Sequence, residues 1–255
     1  MTDTITFEHP LNERCRTLLR LSHLFEQFAF HTPRQSEWDS RAALGTLLDI
    51  AAILARADIK SDLLKEMDRY RGSLDRIAGR PGVDSSRLNA VLKDIRAVEQ
   101  SLRQVQGQLG QSLRGDEFLT SILQRSSIPG GNCNFDLPQY HFWLNQPHEI
   151  RQTQMSEWMQ DLLPVREAVV LLLNLVRNSN LPTREQAAQG FFQRTLESQA
   201  PAQMLRVGLP RNSTVFTEIS GNKHRFSIRF LEAVDAGKPL QTDRDVDFLL
   251  TACIF

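Results

Sequence analysis

The chain has 255 residues, 41% of them hydrophobic, and thirty basic side chains balance thirty acidic ones. It is therefore a globular chain, long enough for one large domain or two modest ones. Net neutrality argues against a protein that coats itself in nucleic acid, while three widely spaced cysteines without a CxxC argue against a disulfide framework or zinc site and fit a reducing compartment.

The opening MTDTITFEHP has early acids and no apolar core, so no signal peptide is expected. LNERCRTLLRLSHLFEQFAF then places Leu11, Cys15, Leu18, Leu21, Phe25 and Phe28 at helical spacing, and HTPRQ breaks it. A second helix opens near Ser36, with Glu37 in its first turn, and runs through WDSRAALGTLLDIAAILAR. In SDLLKEMDRYRGSLDRIAG the apolar positions Leu63, Met67, Tyr70, Leu74 and Ile77 alternate steps of four and three. GRPG stops that helix, because glycine accepts left-handed dihedrals and proline cannot continue a helix. Asp84 or Ser85 can cap the next one. There Leu88, Val91, Ile95, Val98, Leu102, Val105 and Leu109 form an a/d seam, which predicts a helix roughly 33 Å long. The pair predicts an antiparallel helical hairpin over about residues 61–110, packed into its own domain or offered as an arm or dimer surface.

Helical signals resume at DEFLTSILQR, and SSIPGGNCNFDLP follows as a Pro/Gly-rich loop. QYHFWLNQ is a short aromatic segment, and PHEIRQTQMSEWMQDLL and PVREAVVLLLNLVRNSN complete the helical part. The run Val169–Leu173 is apolar on nearly every side and reads as a central buried helix, too short to span a bilayer. After about Asn178 the texture changes. LPTREQAAQGFFQRTLESQAPAQ is polar and turn-rich, and short alternating segments follow: MLRVGLP, STVFTEIS, HRFSIRF and DVDFLLTACIF. The expected class is α+β, with a helical domain over 1–180 and a small C-terminal antiparallel β-sheet domain over 181–255.

No nucleotide-binding, zinc-protease, nucleophile-elbow or EF-hand motif is present. PGG at 129–131 lacks the following Lys-Ser/Thr of a phosphate loop. Cys133 with His141 eight residues on is the one thiol–imidazole combination to weigh, and it has no evident third group. His9, His23 and His31 are not spaced for a metal. Asp243, Asp245 and Asp247 would share one strand face, as a cation site or, more in keeping with the pattern, as edge-strand charges that prevent unwanted pairing.

The sharper feature is SGNKHRFSIRF, from Ser220 to Phe230. Alternation puts Phe226, Ile228 and Phe230 on one face and Arg225, Ser227 and Arg229 on the other, with Lys223 in the turn. Between Leu205 and Phe230 the charges are Arg206, Arg211, Lys223, Arg225 and Arg229 against Glu218 alone. If MLRVGLP belongs to the same sheet, Arg206 joins that face. Arginines held by a strand suit carboxylates, but internal salt bridging or plain solvation accounts for the pattern equally well.

FEHPLNERCRTLLRLSHLF, LLKEMDR with PGVD beyond it, SIPGGNCNFDLPQYHFWL and ISGNKHRFSIRF together resemble the ZapD family of cell division proteins. The resemblance runs from about Phe7 to Phe248 and is weaker over Gln186–Gln203 and the tail. It implies a helical domain and a β domain assembled as a homodimer, without catalysis or cofactor. The implied partner is FtsZ, whose C-terminal tail the family binds and whose filaments it bundles, in the cytoplasm at the mid-cell division ring during septation. It also implies a basic pocket in the β domain that includes Arg225 and Arg229, with Lys223 matching the SGxKxRF pattern. Arg56 and His141 resemble family positions facing the same pocket. After LGQSLR the family can carry a basic residue where this chain has Asp116 and Glu117. The competing expectation is a nucleic-acid-binding module on the same strand, disfavoured because the apolar residues alternate inward and leave no stacking platform beside the arginines.

Overall fold

In the computed structural model the described residues are 4–56, 58–196, 201–234 and 237–254, with the side chain of Arg56 excepted. The chain divides into two compact units, Met1–Leu19 with Leu173–Phe255, and Arg20–Leu172. One is built on sheets and the other on helices, so the class is α+β.

The helical unit follows the periodicities closely. Leu21, Phe25 and Phe28 of α1 (Glu13–His31) are buried, as are Ala43, Leu44, Leu47 and Leu54 of α2 (Glu37–Arg56). Ser36 and Asp39 bond reciprocally at the start of α2, the Asp39 amide donating to the Ser36 hydroxyl at 3.0 Å. The hairpin consists of α3 (Ile59–Asp75) and α4 (Ser85–Gln104), and Asp84 caps α4 by accepting from the Arg87 amide. Its seam differs from the expected one. Leu88, Leu92, Ile95, Glu99 and Leu102 are buried, whereas Val91 and Val98 are half-exposed. The heptad spacing survives but is rotated, because the Glu99 carboxylate is buried against the Arg71 guanidinium of α3 at 2.9 Å. A hydrophobicity pattern passes over such a residue. The helix also stops at Gln104: Val105 is extended, and Gly107 and Gly110 turn the chain at positive φ.

Four further helices lie in this unit: α5 (Gln111–Gly115), α6 (Glu117–Ser126), α7 (Pro138–Leu144) and α8 (His148–Gln160). Phe118, Tyr140, Trp143 and Trp158 form an aromatic cluster, with Phe118 stacked on Trp158 at 5.8 Å. Burial pushes the Tyr140 phenol up to about 12. The last helix, α9 (Leu163–Arg177), is amphipathic rather than apolar all round. Val165, Ala168, Val169, Leu172, Leu173 and Val176 are buried at steps of three and four, and Val170 faces solvent.

Among the described residues the β unit holds two antiparallel sheets. One has the order β1-β4-β8-β2, from strands Thr4–Pro10, Ala202–Pro210, Val246–Ile254 and Thr183–Ala187. The other has the order β3-β6-β5, from Phe191–Thr195, Arg225–Glu232 and Val215–Gly221, with the two-residue β7 (Leu240–Gln241) also pairing β6. Alternation correctly located β4, β5, β6 and β8. The strands β1, β2 and β3 come from stretches read as N-terminal lead-in or polar loop. Their neighbours impose them: β1 pairs β4 from Thr4↔Pro210 to Pro10↔Met204, and β2 pairs β8 from Thr183↔Leu250 to Ala187↔Val246. Inward residues of both sheets share one core, including Leu205, Val207 and Leu209 of β4, Phe226, Ile228 and Phe230 of β6, and Phe248 and Leu250 of β8. Phe230 meets Phe248 with ring centroids 5.0 Å apart. Each such side chain contributes about 1.5–3 kcal/mol on burial, enough to fix the register of β6.

The three aspartates do not form an edge-strand set. Only Asp247 lies within β8, and β8 is an interior strand between β4 and β2. Asp245 accepts from the Gln189 amide at 2.9 Å, and Asp247 accepts from the Gln186 side chain at 3.0 Å. Asp245 therefore braces the β2–β3 connection, and Asp247 ties β8 to β2. Among the described residues no group of three His, Cys, Asp or Glu side chains could hold a metal ion, and no helix is long and apolar enough to cross a membrane.

Candidate functional site

The basic face is set by β6. Because Phe226, Ile228 and Phe230 are drawn into the core, the intervening Arg225 and Arg229 are turned outward and both are exposed. Four residues apart on one strand, they stand about 13 Å apart at Cα. A single guest carboxylate therefore engages one arginine directly, and a segment with several acids can engage both.

The turn that ends in Arg225 is tightly specified. The Asn222 side-chain oxygen accepts from the His224 amide at 2.9 Å and the Arg225 amide at 3.2 Å, and the Asn222 amide donates to the Arg225 carbonyl. Gly221 has no substitute here, since a Cβ would lie 2.7 Å from that of Phe226. Lys223 sits in this turn, exposed, at the end of the basic row.

The row is completed by the flanking strands. Arg229 is in register with Glu218 on β5 and with Phe191 on β3. Arg229 and Glu218 are ion-paired, and each side chain is 53% exposed. Among the described residues Arg225 and Lys223 have no ion pair. Phe191 is 42% exposed, an outward aromatic beside Arg229 that sequence reading missed. Its signal was the Gln-Gly-Phe-Phe junction. Gly190 has φ +70°, and a Cβ there would meet the Thr242 carbonyl at 2.6 Å, so a glycine-dependent tight turn was legible even though no alternation was.

Arg206 does not join this face. It lies on β4, in the other sheet, and donates to Glu8 of β1 at 3.0 Å. Glu8 also accepts from Nε and Nη2 of the Arg177 guanidinium, at 2.8 Å each. The expectation that Arg206 adds to the basic face fails because MLRVGLP pairs with β1 and β8, not β6. Nor do the aspartates near the C-terminus neutralise Arg229, whose partner is Glu218.

Arg56 and His141 belong to the helical unit. Arg56 closes α2, and its side chain lies outside the described residues. His141 is exposed on α7. Asp116, where the family can be basic, is structurally committed: one carboxylate oxygen caps α6 through the Leu119 amide at 2.9 Å, and the other accepts from the Trp158 indole at 3.0 Å. The Cys133 thiol donates to Asp136 at 3.0 Å. Among the described residues Cys133 and Cys253 form no disulfide.

This arrangement can bind an extended acidic segment: two outward arginines and a lysine, with an aromatic ring alongside. Comparison with known proteins places it in context. The family model described as "ZapD: Cell division protein" matches residues 19–229, a span that ends on Arg229. The cell division protein ZapD of Methylococcus capsulatus (strain ATCC 33009 / NCIMB 11132 / Bath) is 44% identical over 254 residues, covering 100% of both chains. The chain belongs to the ZapD family of cell division proteins.

Proposed function

We propose that this chain is a non-enzymatic cross-linker of FtsZ filaments that holds the FtsZ C-terminal tail on the outer face of the β3-β6-β5 sheet. The observation that carries the reading is the outward pair Arg225 and Arg229 on β6, with Lys223 in the turn before it, in a member of a cell division family. A disordered tail with acidic and apolar residues fits that row: carboxylates engage the guanidinium groups, and an apolar side chain covers Phe191. A homodimer presents two such faces. Each face then takes a tail from a different filament, and moderate single-site affinity becomes bundling through multivalency at the cytoplasmic mid-cell ring. No bond is made or broken and no cofactor is required.

The test is a titration with a synthetic FtsZ C-terminal tail peptide, alongside co-sedimentation with polymerised FtsZ. Arg225→Glu and Arg229→Glu each weaken peptide binding by about tenfold or more, since each replaces a charge-assisted contact with repulsion. Gel-filtration volume and melting temperature stay as in the unmodified protein. Binding also weakens with salt, because exposed charges are screened beyond about 8 Å at physiological ionic strength. Undiminished binding by both variants rules this face out.

Phe191 supports a second reading, a nucleic-acid module, by supplying the stacking surface that alternation alone did not reveal. The balanced charge of the chain counts against it. A gel shift with random single- and double-stranded DNA at moderate salt separates the two, because only the nucleic-acid reading expects retention.

A further inference from the structure

The row Phe191–Arg229–Glu218 crosses three strands, and its two charged members are already engaged with each other. This has a consequence for the binding face proposed above, on which the present inference rests. Glu218 is the sole acid in the charged set from Arg206 to Arg229, and it stands directly opposite the arginine nearest the exposed aromatic ring. Arg225, on the same strand and the same face, has no such partner among the described residues.

We infer that Glu218 is an internal competitor for the guest carboxylate and sets the specificity of the face. An incoming acid meets Arg225 unopposed. At Arg229 it must displace Glu218, so the exchange trades one exposed ion pair for another with little net electrostatic gain. What tips the exchange is any additional contact the guest brings, and the neighbour in register is Phe191. Guests that combine a carboxylate with an apolar side chain are therefore favoured, and guests that offer charge alone are held back. This is specificity through a repulsive element, since the displaced Glu218 carboxylate stays on the face beside the bound acid. The pair is suited to the role because it is half-exposed: it costs little to open and needs no rearrangement of the sheet.

The experiment uses the full chain and the same FtsZ tail peptide. Glu218→Gln keeps the shape and removes the charge. It tightens peptide binding by about two- to fivefold, the range expected from releasing one exposed ion pair. It also steepens the dependence of affinity on salt, because the Arg229 charge becomes uncompensated in the free protein. A structural effect on the sheet would not change that slope. In an Arg229→Gln background, adding Glu218→Gln gives a much smaller gain, because the arginine that Glu218 guards is absent. Equal or weaker binding by Glu218→Gln overturns the inference, as does a full gain that persists in the Arg229→Gln background. If the unmodified chain does not bind the peptide, the functional reading falls and this inference with it. If the unmodified chain binds and Arg225→Glu weakens it while Glu218→Gln changes nothing, the inference alone falls.

Discussion

Arg206 and Arg229 occupy matching places in their sheets. Each projects away from the core shared by the two sheets, from an interior strand, β4 or β6, and each faces a glutamate in register on the next strand, Glu8 on β1 or Glu218 on β5. Their surroundings differ. Glu8 is 19% exposed, Arg206 31% and Arg177 29%, and the one carboxylate serves both guanidinium groups. Arg229 and Glu218 are each 53% exposed and, among the described residues, ion-pair only with each other. The first arrangement is a largely buried network in which one carboxylate holds two guanidinium groups. The second is a surface pair whose attraction is largely screened, so its charges remain available to a ligand. Burial, rather than residue type or strand position, separates the structural Arg206 from the Arg229 proposed to bind the tail.

The strongest way to break that contrast is Glu8→Gln. It leaves Arg206 and Arg177 partly buried without their shared charge. We expect a loss of about 1–3 kcal/mol, read as a lower urea midpoint with an unchanged slope. Tail affinity of the folded fraction stays constant. The matching change Glu218→Gln moves stability by less than about 0.5 kcal/mol while altering affinity. Equal stability losses from the two variants would show that exposure is not what distinguishes the pairs.

A smaller change sharpens the comparison on the binding side. Phe191→Ser removes the aromatic neighbour of Arg229 and no charge. Tail affinity falls by about three- to tenfold, the loss of a partly buried apolar contact, while its salt dependence keeps the same slope. Arg225→Glu, in contrast, flattens that slope. If Phe191→Ser binds as the unmodified chain does, the face reads charge alone, and the apolar part of the guest is held elsewhere.

Phe191 also marks what the sequence withheld. The outward direction of Arg225 and Arg229 was legible because β6 has Phe, Ile and Phe at alternate positions, all buried. The helices announced themselves similarly, through Leu21, Phe25 and Phe28 or the GRPG stop between α3 and α4. By contrast β2, TREQA, buries only Ala187 fully, and β1 has Glu8 and Pro10 in its seven residues. TREQA carries no period-two contrast, while in β1 the alternation of Ile5 and Phe7 with Thr4, Thr6 and Glu8 is short and ends at Pro10, and each pairs with a strand distant in sequence. The same long-range pairing decided Arg206, whose fate depended on a neighbour 198 residues away. Glu99 fooled the heptad for a related reason: its burial is made tolerable by Arg71 on the opposite helix, which periodicity along one helix does not register.

A third pair, Glu185 with Arg194 at 2.7 Å, is intermediate: Glu185 is half-buried and Arg194 exposed. It links β2 of one sheet to β3 of the other across the turn that presents Phe191. The Arg194 hydrogen bond, aided by Thr183 and outweighing desolvation, holds the Glu185 carboxyl below the usual glutamate range. A carboxylate whose folded-state value is depressed stabilises the fold above its unfolded-state value. That contribution is lost as pH falls through the depressed folded value. Glu185→Gln should therefore lower stability slightly at neutral pH, and the gap to the unmodified chain should close on acidification below the ordinary glutamate range. Urea midpoints measured across that range read the effect, and amide exchange in residues 183–195 localises it. A gap that stays constant with pH would assign the loss to altered packing of the side chain. A gap that closes would place Glu185 with Glu8, as a charge the fold uses, and leave Glu218 as the acid of the three whose removal improves what the face can bind.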